Sequence, residues 1–293
     1  MEKSQNTNNA NVACQSPAKS LSNVTTIIVH AGRTSHQDER IACALAYAFG
    51  ARVPIERRDP TPEELADPHI LILDVGGVHD PAHLCFDHHQ RGRDEAPACA
   101  YSLFAEWLCV SAELETLFPW YSTGILLDSK GPFAVAKAAG TEWSRVQGLY
   151  GPDSDWLAQE WANDPEFRTT LSATLGETIR RKLEVYGAAL DAVQIDEVNG
   201  LRVMRMDKLP ASASEVSDAL AKAKGANVIV FNDDRGAGFG LLRVADDPRV
   251  DFSRLEGDET VVFAHKGGFI AKTTEVVKGD DARLFDLIAR AIK

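Results

Sequence analysis

The sequence predicts an α/β protein in which a doubly wound parallel sheet is followed by a smaller α+β unit, with a long helix joining them. Three observations lead there. Short β-branched runs alternate with helical patterns through the first half of the chain. One of these runs, HILILDVGG from His69 to Gly77, is continuously apolar ahead of its aspartate, as a strand buried on both faces must be. Beyond Asn199-Gly200 the texture changes to closely spaced strand-like runs. The expected division is residues 1–22 as a disordered tail, 23–195 as the sheet domain and 196–293 as the second unit.

Taken in order, Thr25–His30 (TTIIVH) reads as a strand, and Asp38–Phe49 as a helix that Gly50 stops. A strand in ARVPIERR, the Pro-punctuated segment TPEELADP, the central run ending at Asp74 and a further short strand, HLCFDHH, follow. CAYSLFAEWLCVSAEL has helical period, and YSTGILLDSKGPF ends a helical or extended segment in a polar turn. From Asp164 to about Gln194 apolar residues recur at helical spacing, which predicts the connecting helix. LRVMRMD, NVIVFND, GFGLLRVAD and TVVFAH read as strands of the second unit, closed by a helix from Asp280 to Lys293.

Net charge is −12 over 293 residues, so the surface as a whole repels polyanions, and any phosphate-bearing substrate needs a local cationic site. Five cysteines without C-x-x-C spacing read as reduced core residues of a cytoplasmic protein. The Asn/Ser/Gln-rich start lacks the apolar stretch of a signal peptide, and no apolar run approaches the roughly 20 residues of a membrane span. The aromatic residues of PWYSTG and DSDWLAQEW read as core rather than base-stacking platforms.

Seven of the eight histidines (His30, His36, His69, His79, His83, His88 and His89) fall within residues 30–89. Several neighbour carboxylates at expected strand ends: His30 and His36 near Asp38, His88 and His89 beside Asp87, with Asp74 and Asp128 ending two further apolar runs. In an open parallel sheet the carboxyl ends of strands line one edge, where ligands bind, so these groups are expected to converge. Imidazole and carboxylate together suit manganese foremost, with magnesium or zinc also accommodated, and there are ligands enough for two divalent ions. Such a pair, about 3.5–4 Å apart, is apparatus for in-line attack on phosphorus. Against this, Asp74 could merely start the turn that Gly76-Gly77 completes.

HAGRTSHQDE (30–39), DVGGVHDP (74–81) and DHHQR (87–91) together resemble the DHH phosphoesterase superfamily, and within it the melanocyte-proliferating-gene family of metal-dependent 3′ to 5′ exonucleases. FAHKGGFIAKT (263–273) is similar to that family's Phe-x-His-x-x-Gly-Phe stretch. The first motif carries Ala31 where the family has Asn, with one extra residue before His36, and TGILLDSKG is closer to other superfamily members.

The resemblance implies that His30, His36 and Asp74 hold one metal while Asp38, Asp74, His88 and Asp128 hold the other. It implies that His89 contacts the transferring phosphoryl group or protonates the leaving oxygen. Asp87 would orient an imidazole through its other nitrogen. Arg91, Arg243, His265, Lys266, Gly267, Gly268 and Lys272 would grip the substrate, although Gly267-Gly268 equally suits a β-turn between solvated lysines. The expected activity is 3′ to 5′ removal of nucleotides from RNA or short single strands. The alternatives are hydrolysis of a small nucleotide or pyrophosphate, or a lapsed metal-binding module. RNA or an oligonucleotide is the expected partner, no membrane is involved, and oligomerisation is left open.

Overall fold

A computed structural model describes residues 19–147 and 152–293. Most of the expected tail, and Cys14 within it, lies outside the described residues. The chain divides into two compact units: the first ends at Ala112 and resumes over Trp120–Ile179, and the second takes Glu113–Pro119 and Arg180–Lys293. The α/β expectation holds, with two mixed sheets.

The first sheet has five strands, β1 (Thr26–Val29), β2 (Ile55–Arg57), β3 (Ile70–Leu73), β4 (His79–Asp80) and β5 (Cys85–Phe86), in the order β2-β1-β3-β5-β4. All neighbours pair in parallel except β4, which runs antiparallel on the edge. The apolar run of β3 is central as its composition requires, and Leu71, Ile72 and Leu73 are fully buried beside Ile27, Ile28 and Val29. Val29 pairs with Leu73, and Leu73 with Phe86, so β1, β3 and β5 end at one level. The next residues in the chain, His30, Asp74 and Asp87, therefore leave the sheet along the same edge.

The helix Gln37–Ala48 follows β1 and presents Asp38 and Glu39 in its first turn, where the helix dipole favours acids. Its opposite end packs so tightly on the 28-residue helix Pro165–Ala192 that a Cβ on Gly176 would come within 2.7 Å of the Ala44 carbonyl oxygen and 3.0 Å of the Ala48 nitrogen. Backbone atoms of a helix cannot yield as a flexible side chain can. Gly176→Ala should therefore destabilise by about 1–3 kcal/mol, overpacking outweighing the roughly 1 kcal/mol of helix propensity that alanine adds. A drop in melting temperature would register it, and an unchanged one would contradict this packing.

In the second unit β6 (Gln194–Val198), β7 (Leu201–Arg205), β8 (Val228–Asn232), β9 (Phe239–Arg243), β10 (Val261–Ala264) and β11 (Ile270–Thr273) form a sheet ordered β10-β11-β9-β8-β7-β6. Only β7 and β8 pair in parallel. One face buries Val203, Val228, Val230 and Leu241 against Leu284, Leu287 and Ile288 of the helix Asp281–Arg290.

Some expectations are corrected. Asp128 does not end a strand; it lies on the helix Trp120–Lys130. The strand expected over HLCFDHH shrinks to Cys85–Phe86, because Leu84 takes a left-handed conformation (φ 56°). The helix expected through CAYSLFAEWLCVSAEL breaks at Cys109 (φ 62°) into Ala100–Leu108 and Ser111–Leu117. Cys43, Cys85 and Cys99 are free and buried, but Cys109 is disulfide-bonded, so the all-reduced reading fails there. Trp161 is core, whereas Trp156 is 54% exposed and stands edge-on to Phe167. No helix among the described residues is long and apolar enough to cross a membrane.

Candidate metal centre

The acids and imidazoles of four motifs meet in the first unit. His88 is the hub: its Nε2 lies 3.0 Å from Asp128 Oδ2, 3.2 Å from Asp74 Oδ1 and 3.8 Å from Asp38 Oδ2. Two ligand groups result, Asp74 with His88 and His89, and Asp38 with His88 and Asp128, the donor atoms within each lying no more than 4.8 Å apart. His30 and His36 belong to neither group; their rings stack on one another at 5.7 Å between centroids. His36 nevertheless shares a cavity with Asp38 and Asp128.

Each carboxylate is positioned by a different device. Asp74 follows β3 in a left-handed turn (φ 60°), a conformation that aspartate tolerates, and is 2% exposed. The turn reading and the ligand reading therefore coexist, since the turn is what aims the residue. Asp38 accepts the backbone N–H groups of Ala100 and Tyr101 at 2.8 Å each, tying it to the start of the helix Ala100–Leu108. Asp87 accepts from the Gly77 and His89 amides at 2.7 and 2.9 Å and contacts His89 Nδ1 at 2.7 Å. Asp87 therefore fixes the orientation of His89 and leaves its Nε2 for other partners.

The loop of the first motif is held by residues that the sequence did not single out for this task. Arg57 donates to the carbonyls of His30 (3.1 Å), Gly32 (3.0 Å) and Thr34 (3.2 Å) and pairs with Glu39 at 3.3 Å. Glu39 in turn accepts the His36 amide at 2.8 Å. Its burial pushes its own carboxyl up to about 7. An arginine in a strand of mixed polarity gives no periodic signal, so only the fold reveals this clamp.

The electrostatics are those of a cation cradle. Burial pushes the Asp38 carboxyl well above its usual range, and the Asp74 and Asp128 carboxylates push it the same way. Burial disfavours charge on His88, yet Asp128, Asp74 and Asp38 outweigh it and raise the imidazole to about 10. The contacts to His88 are close without being aligned as hydrogen bonds: among the described residues, Asp74 Oδ1 and Asp128 Oδ2 are buried with no hydrogen-bond partner, and so is His30 Nδ1. Buried polar atoms are rarely left so, and a divalent ion is the partner that this mixed donor set fits.

At neutral pH an ion must displace the proton that the three acids hold on His88. Metal binding should therefore release protons and tighten with rising pH at pH values below about 10, by up to about tenfold per unit for one displaced proton. Calorimetry in buffers of different ionisation enthalpy measures the release, and a pH-independent affinity would contradict it.

The remaining residues predicted to touch substrate divide between the units. Arg91, in the first, pairs with Glu95 at 3.1 Å. In the second, Lys272 bonds Asp233 at 2.6 Å, and Arg243 donates to the Val250 carbonyl at 2.9 Å and pairs with Asp246. Gly267 donates to His265 Nδ1 at 2.9 Å and Gly268 (φ 68°) to the His265 carbonyl at 2.8 Å, which is the β-turn alternative. Lys266 and His265 line a cavity of about 460 Å³ with Phe263.

An α/β unit whose strand edge gathers aspartates and histidines within 4.8 Å of one another is equipped to hold a divalent ion. Residues 26–102 match the family described as "Uncharacterised protein family (UPF0160)", which carries the likeness to the melanocyte-proliferating-gene family read from the motifs. The chain is 27% identical over 209 residues to MYG1 exonuclease of Homo sapiens, covering 64% of this chain and 53% of that one. It is 28% identical over 216 residues to MYG1 exonuclease of Rattus norvegicus, covering 64% and 52%. The chain thus spans about half the length of these curated relatives. A solved pGpG-specific phosphodiesterase, PggH from Vibrio cholrae, aligns at 13% identity over 92% of this chain and 99% of that one, with a TM-score of 0.31, too slight a likeness to support an argument.

Proposed function

We propose that this protein is a two-metal phosphodiesterase that removes nucleotides from the 3′ end of RNA or short single strands. The observation that carries the reading is the convergence of Asp38, Asp74 and Asp128 on His88, with buried ligand atoms left unpartnered. His30, His36 and Asp74 would hold one ion, and Asp38, Asp74, His88 and Asp128 the other, with manganese foremost. When bound, such ions polarise the phosphoryl oxygens and supply a nucleophile near neutral pH.

The chain's own residues do the rest. Asp74 would serve both ions; it lies 3.2 Å from His88, the residue common to the two groups. Asp87 holds His89 by Nδ1, which leaves Nε2 of this 57% exposed ring to contact the transferring phosphoryl group or to protonate the leaving oxygen. Arg91 offers charge nearby. In the second unit, taken as residues 196–293, we assign substrate contacts to His265, Lys266, Gly267, Gly268, Lys272 and Arg243. Of these, Lys266 is the one whose charge the turn and the ion pairs leave for an incoming phosphate. The scaffold is read as doubly wound, over residues 23–195. A cytoplasmic setting rests on the free thiols of Cys43, Cys85 and Cys99, with the Cys109 disulfide against it.

Purified protein with manganese and a 5′-labelled oligoribonucleotide tests the reading. A ladder shortening from the 3′ end is expected. Inert RNA with phosphate released from pyrophosphate would replace it with a small phosphohydrolase. No turnover of either despite bound metal would leave a binding module, the reading that Ala31 and the lengthened first motif favour.

A further inference from the structure

Beside the metal centre, in the same unit, lies a cationic pocket. Its volume is about 280 Å³, and its walls include His88, Arg91, Arg93, Ser129 and Lys130. Among the described residues no aspartate or glutamate lines it, although the chain carries 43 acids against 31 lysines and arginines. Three cations around one small acid-free cavity in so acidic a protein mark a place for an anion, not an average piece of surface.

The pocket is built rather than incidental. Lys130 donates to the carbonyls of Arg93 and Glu95 at 2.6 and 2.9 Å, closing the loop 91–95 over the end of its own helix. Glu95 accepts the Gly92 amide at 2.6 Å and pairs with Arg91 at 3.1 Å, which holds Arg91 in place. Arg91 Nε is buried and, among the described residues, has no hydrogen-bond partner, a donor that an arriving acceptor would satisfy. The pocket also shares His88 with the metal centre, and Ser129 follows Asp128 directly.

We propose that Arg91, Arg93 and Lys130 form a subsite for a second, non-scissile phosphate: the terminal phosphate of a short oligonucleotide whose neighbouring phosphodiester lies at the metal centre. This rests on the phosphodiesterase reading and adds a specificity to it. A small cavity with fixed cations gives its largest benefit to substrates that end in a phosphate near the cleaved bond, and little to long strands. It also explains how a chain of net charge −12 attracts an anionic substrate at all.

The test compares, with the manganese-loaded full chain, a dinucleotide bearing a terminal phosphate, the same dinucleotide without it, and pyrophosphate. The phosphorylated dinucleotide should have a KM lower by about 10- to 100-fold, the range of a hydrogen bond to a charged group. Arg93→Glu, at an exposed position that should not disturb folding, should collapse that ratio toward one, chiefly through KM. Equal KM values in the wild type, or a ratio that survives Arg93→Glu, would overturn the subsite. Preference for pyrophosphate, abolished by Arg93→Glu, would overturn the oligonucleotide assignment.

Titration of inorganic phosphate into the chelator-treated full chain is independent of turnover. It should show binding that Arg93→Glu loses, and its failure would overturn the subsite. Absence of turnover with phosphate binding intact would instead refute the phosphodiesterase reading alone.

Discussion

Asp74→Asn should lower turnover by on the order of a thousandfold or more, beyond the 10- to 100-fold typical of residues that only support a ligand. The carboxylate is 2% exposed, its Oδ1 lies 3.2 Å from His88 Nε2 and 3.8 Å from His89 Nδ1, and that oxygen has no hydrogen-bond partner. Asparagine keeps the shape and tolerates the left-handed backbone at this position (φ 60°), so the fold should survive. What is lost is one negative charge where two ions would be shared. Metal content should fall with activity while the melting temperature of the chelated protein stays close to that of the wild type. Loss of Asp74 should also move His88 down from about 10, since an anion that favours the imidazolium is gone. An Asp74→Asn protein that keeps most of its metal and its turnover would contradict the assignment.

Arg205→Met should destabilise the second unit by about 3–5 kcal/mol, the cost of leaving a buried charge without its partner. Arg205 is 1% exposed and bonds Asp207 through Nε and Nη2 at 2.8 Å each, Asp281 at 2.9 Å and Asp196 at 3.3 Å. It thereby ties β7 to β6 and to the first turn of the helix Asp281–Arg290. Asp207 would be the casualty, since its side chain is only 2% exposed. Denaturant unfolding followed by a probe in the second unit measures the loss. A double variant, Arg205→Met with Asp207→Leu, should recover part of it, because removing both partners spares the desolvation of the survivor. A single variant that unfolds at the wild-type midpoint would show that this buried network contributes nothing measurable to stability.

Much of the first unit was legible along the chain. The apolar run before Asp74, bounded by Pro68 and by Gly76-Gly77, reads as a central strand, and the helical period after Asp38 reads as the helix that follows β1. Parallel pairing then requires Asp74 and Asp87 to leave the sheet on one edge. Asp128 was found by its motif, but its element was misread: an aspartate after Leu126-Leu127 looks the same at the end of a strand or on a helix, and a short apolar run has no period to separate the two. Arg57 and Glu39 gave no pattern at all, since a clamp on three carbonyls is a property of where the loop passes.

In the second unit the turn at Gly267-Gly268 was visible as a glycine pair. Whether its amides face a ligand or close the turn depends on His265, two and three residues away, and the hydrogen bonds place them in the turn. The pairing of Lys272 with Asp233 joins residues 39 apart. Such pairings follow from strand register, which residue types alone do not specify.

By itself, then, the order of residues determined which side chains could bind metal and that parallel strands would carry several of them to a common rim, because hydrophobic period and strand polarity are local and cumulative. Only the tertiary structure decided that His88 is the point where three carboxylates meet, that Asp38 is anchored by the amides of Ala100 and Tyr101, and that Arg93 and Lys130 border the same pocket. Those relations depend on distances between residues as far apart in the chain as Asp38 and Asp128, and such distances come into being only when the elements pack.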